Sequence, residues 1–105
     1  MTTTFDKREE GFEKQFAHDE ELKFKATARR NRMLGQWAAE KLGLSGADAD
    51  AYAREVVLAA VEGPGVFAKL RKDFDAKGVA QSDHQINRHM DEFLAKAIEQ
   101  LKAAG

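Results

Sequence analysis

The sequence predicts an all-α protein: a small four-helix bundle with a flexible, conditionally helical N-terminal arm. Three observations lead there. The 105 residues hold one proline, and valine and isoleucine are sparse against alanine, leucine, lysine and glutamate, a composition that favours helix over strand. Apolar residues recur at helical spacing in four separate stretches after the first twenty residues. Short glycine-, serine- or proline-containing turns separate those stretches, as in antiparallel helical neighbours. A length of 105 residues fits one domain, and a 43% hydrophobic fraction supplies a core if its apolar residues are concentrated.

The division expected is an arm over residues 1–18 and a bundle over residues 19–105. In the arm, Phe5, Phe12 and Phe16 are seven and four residues apart, within about 40° of one another on a 3.6-residue helix. Charged residues crowd the space between them. A stripe one ring wide can dock an element onto something else, but it cannot build a core. Gly11 interrupts the pattern at a cost of about 1 kcal/mol relative to alanine. A helix of roughly 12 to 15 residues is marginal in water by itself, so the arm is expected to be disordered or fraying when free and helical when bound.

Asp19, followed by Glu20 and Glu21, reads as a helix start: a capping side chain, then acids that complement the helix dipole. This first bundle helix should run to about Leu42 and stop at Gly43, with Leu44 as the apolar follower. Its second half offers a packing face of Met33, Leu34, Trp37, Ala38 and Leu42. Its first half, with Leu22, Phe24, Ala26 and Ala28 before Arg29-Arg30-Asn31-Arg32, is expected to project or to be only partly covered. Ser45-Gly46-Ala47-Asp48 resembles a capping box and opens a second helix with the stripe Ala49, Tyr52, Ala53, Val56, Val57, Ala60 and Val61. Gly63-Pro64-Gly65 ends that helix and begins the next, with proline tolerated in a first turn. Val66, Phe67, Leu70 and Phe74 give the third apolar face, and Lys77-Gly78 the next stop. Ser82-Asp83-His84-Gln85 is a full capping box, followed by Ile86, Met90, Phe93, Leu94, Ala97, Ile98 and Leu101.

Charge is near balance overall, at −1, but unevenly spread. Met1 to Glu21 holds three basic and seven acidic residues, whereas Leu22 to Arg32 holds five basic residues and no acid. The near-neutral total gives no support to a nucleic-acid or membrane partner. The absence of cysteine excludes disulfides and thiolate metal sites and is compatible with a reducing compartment. Neither a signal-type apolar run nor a membrane-length segment is present, so a soluble intracellular protein is expected.

No catalytic constellation emerges. His84 and His89 lie five residues apart, about 140° around a helix, and His18 is remote in sequence, so no metal spacing is formed. Gly63-Pro64-Gly65 lacks the lysine and hydroxyl of a phosphate loop, and no glycine-flanked serine elbow occurs. The turn at Gly78 to Gln81 has roughly helix-turn-helix spacing, but Asp83, Asp91 and Glu92 on the following helix would be repelled by phosphate. An enzyme is therefore not expected. Lys23 to Arg32 is the sharpest charge feature: either a solvated face, or a contact for an acidic protein surface or a nucleotide phosphate through Arg29, Arg30 and Arg32. Trp37 fits a core position better than a stacking platform. The phenylalanine stripe either folds back on the bundle or docks as an amphipathic helix in a partner groove.

Several blocks together resemble one family: Thr3-Thr4-Phe5-Asp6 with Arg8-Glu9, Phe12-Glu13, Phe16-Ala17-His18-Asp19-Glu20-Glu21, Phe24-Lys25-Ala26, Ala28-Arg29-Arg30-Asn31, and Leu34-Gly35 through Trp37-Ala38-Ala39-Glu40. Tyr52-Ala53-Arg54-Glu55-Val56-Val57 and Ser82-Asp83-His84-Gln85-Ile86 continue the match. The chain resembles, over essentially its whole length, the zeta subunit of alphaproteobacterial F-type ATP synthases, formerly a domain-of-unknown-function family. The resemblance implies a four-helix bundle with an inhibitory N-terminal arm that inserts into F1 at a catalytic interface of alpha and beta subunits beside the gamma shaft. There it blocks hydrolysis and allows synthesis. Carried onto this sequence, the inhibitory segment is Thr2 to Asp19, including Thr2, Thr3, Thr4 and Asp6. From the stripe we assign Phe5, Phe12 and Phe16 as anchors and Arg8 and Lys14 as polar contacts. A monomer when free, cytoplasmic and peripherally associated with the membrane-bound synthase, is expected. No cofactor is required; ATP or ADP is a candidate ligand, and the alternative function is a small helical adenine-nucleotide-binding regulatory module. Val66-Phe67 is more apolar than the acidic stretch of the family pattern, so no role is carried over there.

Overall fold

A computed structural model of the chain describes residues 20–104. Four helices account for nearly all of them: α1 (Glu20–Lys41), α2 (Gly46–Val61), α3 (Val66–Lys77) and α4 (Asp83–Ala104). The arm, Asp19 and the boundary drawn there lie outside the described residues. The expected bundle is found, organised on α1, which packs along both α2 and α4. The α3 helix closes the far side by touching α2 and α4.

Glycine punctuation sets the helix ends as the sequence indicates. Gly43 and Gly78 are left-handed, with φ of 81° and 68°. The amide after each reaches back five residues: Leu44 N–H donates to the Ala39 carbonyl at 2.8 Å, and Val79 N–H to the Phe74 carbonyl at 2.8 Å. Both bonds are of Schellman type, and Leu44 and Val79 then tuck against the core. The Ser82 box is reciprocal: Gln85 N–H donates to Ser82 Oγ at 3.1 Å, and Ser82 N–H to Gln85 Oε1 at 2.8 Å.

Three expectations need correction. Ser45 is the N-cap residue of α2 by position, but its side chain makes no capping hydrogen bond. Pro64 sits in the turn rather than in a first helical turn, because α3 starts at Val66 with Gly65 as its cap at φ 105°. The buried stripe of α2 is Tyr52, Ala53, Val56 and Ala59; Ala60 is exposed and Val61 is 77% exposed. The approach of α1 explains that register. Gly35 lies so close to α2 that an added Cβ would stand 2.7 Å from the Ala53 Cα. The face of α2 carrying Ala53 must therefore point at α1, which turns Val61 outward.

The main core gathers Leu34, Ala38 and Ala39 of α1, Tyr52 and Val56 of α2, Val66, Leu70 and Phe74 of α3, and Ile86 of α4. Trp37 meets Phe74 edge-on at 5.6 Å between centroids, an arrangement that favours aromatic pairs. A second buried seam continues along α1 and α4, where Ala26 and Ala97 are fully buried. The first half of α1 is thus partly covered, on the α4 side.

Polar ties fasten the α2–α3 and α3–α4 junctions. Tyr52 O–H donates to Asp73 Oδ2 at 2.7 Å, and Lys69 Nζ donates to the same oxygen at 3.0 Å and to Glu55 Oε1 at 3.2 Å. The Lys69 ammonium also lies 5.0 Å from the centre of the Tyr52 ring. Burial, then the bond to Asp73 and the charges of Asp73 and Glu55, push the Tyr52 hydroxyl well above the ordinary tyrosine range. For Lys69 desolvation pulls downward, but the bonds and charges of Asp73 and Glu55 outweigh it, and its pKa is raised. Across the last turn Arg71 donates to Asp75, to the Gln81 carbonyl and to Asp83, and the bonds to Asp75 and Asp83 hold its guanidinium above the usual value.

Candidate functional site

Of the residues singled out from the sequence, Arg29, Arg30 and Arg32 fall within the described region; Thr2, Thr3, Thr4, Phe5, Asp6, Arg8, Phe12, Lys14 and Phe16 fall outside it. Helix geometry separates the three arginines. Arg29 and Arg32 are one turn apart and share a face. Arg30 lies about 100° round from Arg29 and points elsewhere. Its Nε and Nη2 donate to Asn31 Oδ1 at 3.0 and 2.7 Å. Asn31 is 3% exposed, a buried amide whose acceptor is thereby satisfied. Burial lowers the Arg30 pKa, offset in part by the charge of Asp91. Arg30 also borders a separate hollow of about 560 Å³ beside Thr27, Phe67 and Met90.

Arg29 and Arg32 line a groove of about 570 Å³ between α1 and α2. Ala28, Val57 and Leu58 form its apolar floor, and Arg54 of α2 supplies a third cation. Arg29 Nη1 donates to Gln100 Oε1 at 3.2 Å, a bond across to α4. Among the described residues no ion pair or hydrogen bond holds Arg32 or Arg54. Arginines around an apolar floor suit a ligand with acidic and apolar parts, because the guanidinium fork meets carboxylate or phosphate oxygens in pairs. Arg54 was not singled out from the sequence. It stands 22 residues from Arg32, and only the antiparallel pairing of α1 with α2 brings them together.

The apolar surface extends past the groove. Three large apolar side chains are well exposed among the described residues: Phe24 at 75%, Leu58 at 55% and Val61 at 77%. Phe24 precedes Ala28 by four residues, one turn along the same face, and Val61 follows Leu58 by three. The strip therefore runs toward the start of α1, where the described region begins.

The histidines stand apart from this face. His84 is exposed in the first turn of α4. His89 stacks on Trp37 with 4.2 Å between centroids and on Phe93 at 5.8 Å, so Trp37 both borders the core and carries a ring partner. Among the described residues no group of three histidine, aspartate or glutamate side chains could hold a metal ion.

A closed helical core with an arginine-rimmed apolar groove on its surface makes the described residues a small helical bundle. A family profile described as ATPase inhibitor subunit zeta matches residues 1–100, and the chain belongs to that family. The family's description marks its members as regulatory, inhibitory subunits of an ATPase. A comparison with curated proteins found no match. Among the described residues no helix is long and apolar enough to cross a membrane.

Proposed function

We propose that this protein inhibits ATP hydrolysis by the F1 sector of an F-type ATP synthase, through insertion of residues 2–19 at an alpha/beta catalytic interface near the gamma shaft. The observation that carries the reading is the family match, which spans the arm as well as the bundle. The helices from Glu20 onward supply a core among themselves, which leaves the arm available as an effector. Phe5, Phe12 and Phe16 act as apolar anchors, and Arg8 and Lys14 as polar contacts. Insertion costs about 1 to 2 kcal/mol for each backbone residue it orders, and buried rings offset that at roughly 1.5 to 3 kcal/mol each. Three rings offset only part of the cost of ordering the whole segment, so hydrogen bonds and charged contacts in the receiving site must supply the rest, and its fit decides the outcome. A site that closes during hydrolysis and opens during synthesis yields a one-way stop.

The test is ATP hydrolysis by F1 from the same organism, with the full chain and with a chain lacking residues 2–16. The full chain should inhibit and the truncated one should not, while both keep a cooperatively melting bundle. Equal potency of the two would overturn the reading. A second reading, an adenine-nucleotide-responsive module, is favoured by the convergence of Arg29, Arg32 and Arg54 on an apolar floor. Backbone amide shifts of those residues on titration with ATP would support it, and their constancy at millimolar ATP would remove it.

A further inference from the structure

We propose that the groove rimmed by Arg29, Arg32 and Arg54, with its apolar extension over Phe24, Leu58 and Val61, holds the chain's own N-terminal segment when no other partner is bound. Its regulatory meaning rests on the inhibitory reading above; the docking itself does not.

Both surfaces needed are on the chain. The groove offers three cations around an apolar strip, and neither Arg32 nor Arg54 is paired among the described residues. The segment offers the complement. Wound at 3.6 residues per turn, residues 5–16 put Phe5, Phe12 and Phe16 in one stripe. Glu9, Glu13 and Asp6 then follow along one flank, about 40° to 100° from Phe5. Lys7 and Lys14 fall on the opposite side, about 160° to 180° away. Arg8 stands on the other flank, about 60° from Phe5, so the carboxylate flank meets the arginine rim while the rings lie on the apolar strip and the lysines stay behind.

Position and reach agree. Phe24, four residues after the first residue of α1, borders an adjoining hollow with Glu20, Glu21, Lys23 and Thr27, and the arginine-rimmed groove continues along that helix to Arg32. At a rise of about 1.5 Å per residue those positions lie roughly 6 to 18 Å from Glu20. A helical segment of twelve residues is about 18 Å long, and the residues between Phe16 and Glu20 suffice for a reversal. Docking would cover the three large apolar side chains that the bundle leaves exposed. A segment held in this way must leave the groove before it can act elsewhere, so the bundle would restrain its own effector.

The chain has no cysteine, so Gln15→Cys gives a single site for a nitroxide label in the full-length protein. Docking predicts that the label broadens the amide signals of Arg54, Val57 and Leu58 and spares Val79. Reduction of the label, or salt near 1 M, where the Debye length falls to about 3 Å, should restore them. The charge reversals Arg32→Glu and Arg54→Glu together should abolish the broadening, and adding Glu9→Arg and Glu13→Arg should bring it back. Circular dichroism melts of each variant check that the bundle is intact. No broadening in the parent chain, or broadening seen when labelled chain is mixed with unlabelled ¹⁵N chain, would overturn the proposal; the latter would place the segment on a second copy. None of these measurements uses the ATPase, so their failure is distinct from failure of the inhibitory reading. Given that reading, the double reversal should strengthen inhibition, about tenfold if the segment is docked nine-tenths of the time.

Discussion

Residues 33–41 and residues 20–32 belong to one helix, yet they are covered differently. In the later half Leu34, Gly35, Ala38 and Ala39 are buried, small side chains let α2 approach closely, and Trp37 meets Phe74 of α3. In the earlier half Ala26 and Asn31 are buried, while Phe24 stands 75% exposed and Arg29 and Arg32 line an open groove. A continuous helix can therefore serve two purposes, because each turn offers several faces and only some need be buried. The later turns hold the fold together, and the earlier ones keep an exposed apolar and basic face that the core does not use.

Substitutions should separate the halves. The largest effect belongs to Phe74→Ala, which empties the centre of the closed half and removes the edge-on contact with Trp37; a loss of about 3 to 5 kcal/mol is expected in urea unfolding. Gly35→Ala should follow at about 1 to 3 kcal/mol, since the new Cβ would collide with backbone at Ala53 and α1 and α2 would have to part. An increase in stability would mean that the interface yields easily. Tyr52→Phe should cost about 0.5 to 1.5 kcal/mol through its lost hydrogen bond to Asp73, with Lys69 still holding that carboxylate.

The same residues predict a pH response. Tyr52 and Lys69 both have folded-state pKa values above their ordinary ones. Stability from each is therefore complete below about pH 10 and lost as pH rises through the folded values. Melting temperature should hold from neutrality to mild alkalinity, fall above about pH 10, and fall less steeply in Tyr52→Phe. The smallest effect is expected in the open half: in the chain lacking residues 2–16, Phe24→Ala should leave stability within about 0.5 kcal/mol, because the bundle itself leaves that ring mostly in water. A loss of several kcal/mol there would break the comparison.

The ends of α1 and α3 and the start of α4 were legible in the sequence because they depend on local chemistry: left-handed glycines at 43 and 78, and a reciprocal box at Ser82 and Gln85. The expected cap at Ser45 and the first-turn place of Pro64 were not found. The core of α3 was legible because Val66, Leu70 and Phe74 lie on one narrow face. The register of α2 was not, since Val57, Ala60 and Val61 extend an apolar face wider than its partners can cover. Only the contact of Gly35 with Ala53 decides which side is buried. The arginine cluster was half legible. Its charge could be counted, but the turn of Arg30 toward Asn31 and the arrival of Arg54 from α2 depend on how helices pair. His89 likewise has no local signal for its stack on Trp37, 52 residues away in sequence.

The unbroken course of α1 has a mechanical consequence. Its 22 residues form a rod of about 33 Å with no proline in it. Its trailing turns are clasped between α2, α3 and α4 through Gly35, Ala38 and Trp37. A push applied at Glu20 cannot be absorbed by a hinge within the helix; it travels down the shaft and bears on the packed side chains at its base. Under the proposed insertion of the arm, the bundle would back that load through the seams of α1 with both α2 and α4.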